Sequence, residues 1–235
     1  MTTFSRGASK KLEILKALKV VEEKVKKGED AKRDFQRIVR ELKRGENIDD
    51  DVLRRVAELR DKLFKKQIVL DYTKGVVVFV LSLIISNTIF FFLVLGEIPL
   101  LPKPIALFLI EFSVLYFSFL TGRIVGAKIS GIRVEGFYKY NPLEFGMKLD
   151  YASYLKVPQK SRVILFLTPL LFENLVMLIH AITLFFLKNE FYWIPMTFLI
   201  ANLPLSYTIY KIKRTGELYR LIREIRIFLS EKSSA

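Results

Sequence analysis

Three ionisable side chains set inside apolar runs carry whatever chemistry this sequence supports: Glu111, Glu173 and His180. A charge at the centre of a bilayer costs about 2.5–3.5 kcal/mol on insertion scales, so such residues are functional candidates by default. Glu173 and His180 are seven residues apart, two turns along one helical face, and Glu111 lies in the preceding run. At about 1.5 Å per residue, Glu111 falls roughly 10 Å below the outer surface and Glu173 roughly 16 Å from the inner one, near the midplane. His180 lies further toward the outside. Two chemistries fit these residue types. One is a proton or cation path through Glu111, Glu173 and His180. The other is an interhelical hydrogen bond made by a neutral carboxyl, with Asn174 or Ser113 beside it. His180 is the only histidine and there is no cysteine, so one subunit has no multi-histidine metal site, and neither a metal nor a cofactor is expected. Ser82, Ser86 and Asn87 in the first run read as packing contacts.

The elements that must position these groups follow from composition. Of 235 residues, 51% are hydrophobic and 26% charged, and the two kinds are segregated along the chain. That excludes disorder, a disulfide scaffold and an ordinary soluble enzyme. Four stretches approach the roughly 20 helical residues that cross a hydrocarbon core: 75–95, 105–122, 163–187 and 191–210. The fourth contains Pro195 and Pro204, which membrane spans tolerate. Residues 1–74 hold 21 Lys and Arg against 14 Asp and Glu, a net of +7; the loop 123–162 is +5 and the tail 211–235 is +4. The two remaining connections are neutral, so every excess cation lies on one side. The positive-inside rule makes that side cytoplasmic. The expectation is a multi-pass protein of the cell membrane, all-α, with four transmembrane helices and both termini inside. The opening Met1–Lys11 lacks an apolar core, so no cleavable signal peptide is expected. Residue usage without Cys and rich in Lys, Glu and Ile leans toward a thermophile.

Residues 1–72 form a basic helical extension. Leu12, Leu15, Leu18, Val21 and Val25 recur at helical spacing before Gly28, a C-cap. A second helix presents Phe35, Ile38, Val39 and Leu42 before Gly45. Asn47 and the acidic run Asp49–Asp51 supply the cap and first turn of a third, with Val52, Val56, Leu59 and Leu63, leading on toward the first span. The Lys/Arg clusters here, Lys43-Arg44 among them, suit anionic lipid headgroups or nucleic acid. Interspersed acids and the absence of an aromatic row favour a solvated helical face over a nucleic-acid site. The tail 211–235 alternates bases with Leu218, Leu221, Ile222, Ile225 and Phe228. It reads as an amphipathic helix lying on the inner leaflet or docking on the N-terminal helices.

The loop 123–162 is longer than a connection requires. Its approach, TGRIVGAKISGIRVEGF over Thr121–Phe137, reads as a helix end, a stop at Gly131 and a short strand or hairpin against the membrane surface. Tyr151, Tyr154 and Leu155 are expected at the interface. This segment resembles the site-2 protease family of intramembrane zinc metalloproteases, downstream of the metal-binding helix. Gly126-Ala127-Lys128 and Gly131–Phe137 match that half, Thr168-Pro169 and Asn174 are similar to the opening of the next core span, and Asn202-Leu203-Pro204 to the last. The likeness spans about residues 105–214.

That resemblance implies a protease-like core without protease chemistry. Carried back from Lys128, the metal motif puts Phe119 and Arg123 where two histidines would stand, and Leu120 where the glutamate would. The position of the third ligand, an aspartate, falls on Ser206 or Tyr207. Phenylalanine and arginine do not bind zinc, and leucine cannot activate water. Arg123 alternatively snorkels to lipid phosphates. The favoured function is non-enzymatic: binding or scaffolding a membrane or cytoplasmic partner, another protein or a second copy of this chain. The alternatives are a small proton or cation conductor built on Glu111, Glu173 and His180, and a tether for RNA or a ribonucleoprotein.

Overall fold

A computed structural model describes residues 3–43, 49–96, 102–141, 144–213 and 216–232. Helices dominate. The first three are α1 (Thr3–Lys26), α2 (Lys32–Lys43) and α3 (Asp50–Leu63), followed by strand β1 (Ile68–Asp71). The long helices α4 (Tyr72–Leu95) and α5 (Lys103–Ile129) lead to a hairpin of β2 (Val134–Asn141) and β3 (Glu144–Leu149). After the short α6 (Tyr151–Lys156) come α7 (Gln159–Phe186), a 3₁₀ turn over Glu190–Tyr192, α8 (Trp193–Lys213) and α9 (Gly216–Lys232).

Helix α1 stops where a left-handed residue closes it. Gly28 has φ 75°, its N–H donates to the Val25 carbonyl, and the Glu29 N–H donates to that of Lys24. This is a Schellman cap, and glycine adopts it without a Cβ penalty. The buried stripe of α1 is Ile14, Leu18 and Val21, while Leu12 is exposed, so the expected stripe was one residue wrong at its start. Phe35, Ile38, Val39 and Leu42 of α2 are buried, as are Val52, Val56 and Leu59 of α3. Asp49 caps α3, its carboxylate accepting from the Asp51 N–H at 3.1 Å. Gly45 and Asn47 lie outside the described residues. Helix α3 does not lead on into the first long helix: it ends at Leu63, and β1 intervenes.

These helices share one core with the adjoining ends of the long ones. Leu18, Phe35, Leu42 and Leu59 cluster with Ala127, Tyr154, Leu165, Phe166 and Leu221. Tyr154 and Leu155 of α6 are therefore packed inside protein rather than at an interface, each 4% exposed, and Tyr151 is half-buried beside them.

Helices α4, α5 and α7 are long and apolar enough to cross a membrane. Much of their surface is apolar and unpacked, for example Ile84, Ile85, Phe92, Leu109, Leu175 and Phe186. Helix α8 is not among them: Pro204, Asn202, Ser206 and its tyrosines dilute its apolar residues. The tightest pair is α5 against α7, and two glycines four residues apart make it so. A Cβ on Gly122 would lie 2.8 Å from Pro169 Cα, and one on Gly126 would lie 2.9 Å from the Leu165 carbonyl oxygen. Small residues at this spacing let two backbones meet.

The three strands form one antiparallel sheet in the order β1-β2-β3, with Asp71 opposite Gly136 and Phe137 opposite Met147. The sheet caps one end of α4 and α5: Phe137 is fully buried against Phe79, Leu120 and Ile124, its ring edge-on to that of Phe79 at 4.9 Å. Helix α9 docks along α7 and buries Glu217, Leu221, Glu224 and Ile227.

Candidate functional site

The three ionisable candidates separate into two sites at different levels of α7. The upper one joins α4, α5 and α7. His180 Nδ1 lies 2.9 Å from Glu111 Oε2 and 3.2 Å from Oε1, and its Nε2 lies 2.9 Å from Asn87 Oδ1. Asn87 Nδ2 donates to the Leu83 carbonyl at 2.7 Å, which leaves Oδ1 to face the imidazole. Nε2 must then carry a proton, because an amide oxygen only accepts. A second proton lies between Nδ1 and the Glu111 carboxyl. Glu111 is fully buried and His180 is 1% exposed; the Phe90 ring stacks on the imidazole at 3.9 Å, 9° from parallel, and Phe91 meets it edge-on. This arrangement is a closed hydrogen-bonded pin.

Asn87 is the member that sequence reasoning missed, having been assigned to packing. The expected neighbours do not take part. Asn174 donates to the Leu170 carbonyl at 2.6 Å and Ser113 to that of Leu109 at 3.2 Å, each within its own helix. The amide oxygen of Asn174 is buried without a hydrogen-bond partner among the described residues.

Glu173 belongs to the lower site. It does not join Glu111 and His180, so the three do not form one path. Its Oε1 accepts from Asn202 Nδ2 of α8 at 2.9 Å. Beyond Asn202, Leu205 and Ile209 of α8 are exposed and line an open space against α5 and α7. The space between is a cavity of about 370 Å³, closed at one end by the first turn of α9. Helix α5 contributes Phe112, Tyr116 and Phe119, spaced i, i+4, i+7 on one face. Glu173 of α7, Asn202 and Ser206 of α8 and Glu217 of α9 also line the cavity.

Arg123 crosses that end. It is ion-paired to the buried Glu217, 3.5 Å from the Phe145 carbonyl and 5.2 Å from the Phe119 ring centre. It therefore holds the tail in place and does not reach outward to lipid phosphates. The other positions that the protease resemblance singled out scatter. Phe119 and Ser206 line the cavity, Leu120 is buried on the other side of α5 against Phe79 and Phe137, and Tyr207 is exposed. Among the described residues no group of His, Asp and Glu is arranged to hold a metal ion.

A third polar cluster, beyond the ends of the long helices, was not legible in the sequence. Lys43 reads as a surface cation beside Arg44 but is 5% exposed. Its ammonium donates to Tyr154 Oη at 2.6 Å and is ion-paired to the fully buried Glu224 of α9. Tyr154 Oη donates to Glu224 Oε1 at 2.9 Å, and Gln159 Nε2 donates to the Glu224 carbonyl at 2.7 Å. Arg162 completes the block, its guanidinium reaching the carbonyls of Lys43, Leu155 and Val157. The two partners of the ion pair shift in ways that look opposed. Burial pushes Lys43 down to about 8, outweighing Glu224. Burial works against the Glu224 carboxylate too, yet Lys43, Arg223 and Tyr154 together hold it below the usual range. The carboxylate has several donors, whereas the ammonium has one counter-charge, so desolvation prevails only at the lysine.

Compared with known proteins, the chain matches no family model, and neither a curated protein nor a solved structure is significantly similar to it.

Proposed function

We propose that this chain is a non-catalytic, four-span membrane protein that binds a membrane-embedded partner in the cavity between α5, α7 and α8. One observation carries the reading: a cavity of about 370 Å³ at the level of Glu173, lined by aromatic rings of α5 and by residues of α7 and α8. Binding sites are concave and mostly apolar, with a few convergent polar groups, as here. The charge asymmetry supports cytoplasmic termini, and the 21 residues of α8 suffice for a fourth span, slightly over 30 Å at about 1.5 Å per residue. The resemblance to site-2 proteases is consistent with a cavity in this place. With Phe119 and Ser206 in its lining, the site has the shape of a binding chamber and not the ligands of a zinc centre.

The conductor reading has less support, because Glu111 and His180 pair with each other and Glu173 pairs with α8. An RNA tether also loses ground where bases of the extension are paired, as in Arg55 with Glu22 and Lys24 with Asp34.

Photo-crosslinking tests the proposal. Benzoylphenylalanine at Phe112 or Ile209, both cavity positions, is expected to trap one discrete partner in native membranes. The same group at Ile85, on the outward face of α4, is expected to trap lipid alone. Identical adducts from all three positions would overturn the reading.

A further inference from the structure

The cavity has a carboxyl group with no cation beside it. Glu217 is paired with Arg123 and is also 3.4 Å from Arg220. Glu173 has no cation. It is 5% exposed, one oxygen accepts from Asn202, and Oε2 has no hydrogen-bond partner among the described residues. That oxygen is not enclosed by protein, since Glu173 lines the open volume. The rings of Phe112, Tyr116 and Phe119 line the same cavity. Phe119 already carries one cation on its face, the Arg123 guanidinium. A carboxyl group that shares a cavity with aromatic rings is the chemistry that selects an ammonium ion: the carboxyl supplies an acceptor and, on giving up its proton, the counter-charge, and the rings supply their negative faces. The rest of the lining, Leu115, Leu170, Leu205 and Ile209, is apolar and suits a hydrocarbon stem.

We infer that the guest of this cavity is an organic ammonium carried on an apolar stem, its nitrogen seated between Glu173 and the α5 rings. This rests on reading the cavity as the binding site and names the chemistry that the site accepts. The volume is at the small end of the range of about 300–1,000 Å³ usual for ligand pockets, which fits a single stem and excludes a whole helix. The stem belongs either to a lipid-soluble amine or to a lysine projecting from a partner's span, and the ammonium chemistry is the same for both.

The test uses the full chain in nanodiscs of neutral lipid, with 4-phenylbutylamine as probe and 4-phenylbutanol as its uncharged counterpart, by equilibrium dialysis against empty nanodiscs. The amine is expected to bind at least about tenfold more tightly than the alcohol, the margin of a hydrogen bond to a charged group. Glu173→Gln is expected to remove that margin and leave alcohol binding within about twofold. Phe119→Leu is expected to lower amine affinity severalfold, and it serves alone if the glutamate variant does not fold. Equal binding of amine and alcohol by the native chain would overturn the inference, as would full retention of the margin in Glu173→Gln. Adding the amine to the crosslinking experiment identifies the carrier. Loss of the partner adduct assigns the ammonium to that partner, and an unchanged adduct assigns it to a separate small amine. Amine binding with no partner adduct at all would sink the partner reading and leave this inference standing.

Discussion

Asn87 decides the proton inventory of the buried histidine, because its own amide is committed to the Leu83 carbonyl and only its oxygen faces Nε2. Glu111 therefore shares a single proton with Nδ1. A glutamine at 111 can donate an N–H to Nδ1 in its place, so Glu111→Gln is expected to unfold within about 1 kcal/mol of the native chain. Glu111→Leu leaves Nδ1 unanswered and is expected to cost about 1–3 kcal/mol. Thermal unfolding in one detergent compares the two, and equal losses would show that the pair depends on a full negative charge. Lys43 gives a prediction of a different kind. Below pH 8 it is protonated both folded and unfolded. Between about 8 and 10.5 the folded chain has released this proton while the unfolded chain keeps it. Stability from this group then rises with pH, by up to about 1.4 kcal/mol per unit. Lys43→Met is expected to abolish that rise and to cost about 1–3 kcal/mol at pH 7, because buried Glu224 and Tyr154 each lose a hydrogen-bond partner while Arg162 and Arg223 remain beside the carboxylate. Unfolding of both chains across pH 7 to 10.5 checks both statements.

At the scale of elements, the bundle depends on how closely α5 and α7 approach. Gly126→Ala sets a methyl 2.9 Å from a main-chain oxygen that has no room to retreat. It is expected to cost about 1–3 kcal/mol, read as a lower unfolding temperature. The same pairing explains what could be read in advance. Apolar runs, charge blocks and cap residues are local signals, so the long helices, the Gly28 and Gly131 stops and the faces of α2 and α3 were legible. Partner choice was not. Glu173 and His180 share a face of α7, yet different neighbours cross α7 at their two levels, α8 at one and α4 with α5 at the other. Periodicity reports the face and says nothing about what stands opposite. Asn87 and Asn202 were therefore missed as partners for a common reason, as was Lys43, whose neighbours Tyr154 and Glu224 lie more than a hundred residues away. The strand β1 escaped notice because four residues with no polar alternation owe their conformation to the hairpin beside them.

For the whole molecule, the proposed topology has a direct test, since a chain without cysteine gives any introduced one a unique address. Cysteine at Glu190 is expected to react with a membrane-impermeant maleimide added outside intact cells, whereas cysteine at Glu29 or Arg226 is expected to react only after permeabilisation. Labelling of all three from one side would refute four spans. The tail gives the molecule a further property. One helix, α9, presents Glu217 to the cavity and Glu224 to the block formed by Lys43, Tyr154 and Gln159. The two glutamates are seven residues apart, about 10 Å along a rod that does not bend easily. A guest that shifted one end would carry the other with it, so α9 would link the proposed binding cavity to the N-terminal helices. Occupancy of a chamber inside the membrane would then be readable, as a loosened Lys43, by a protein that never enters the lipid.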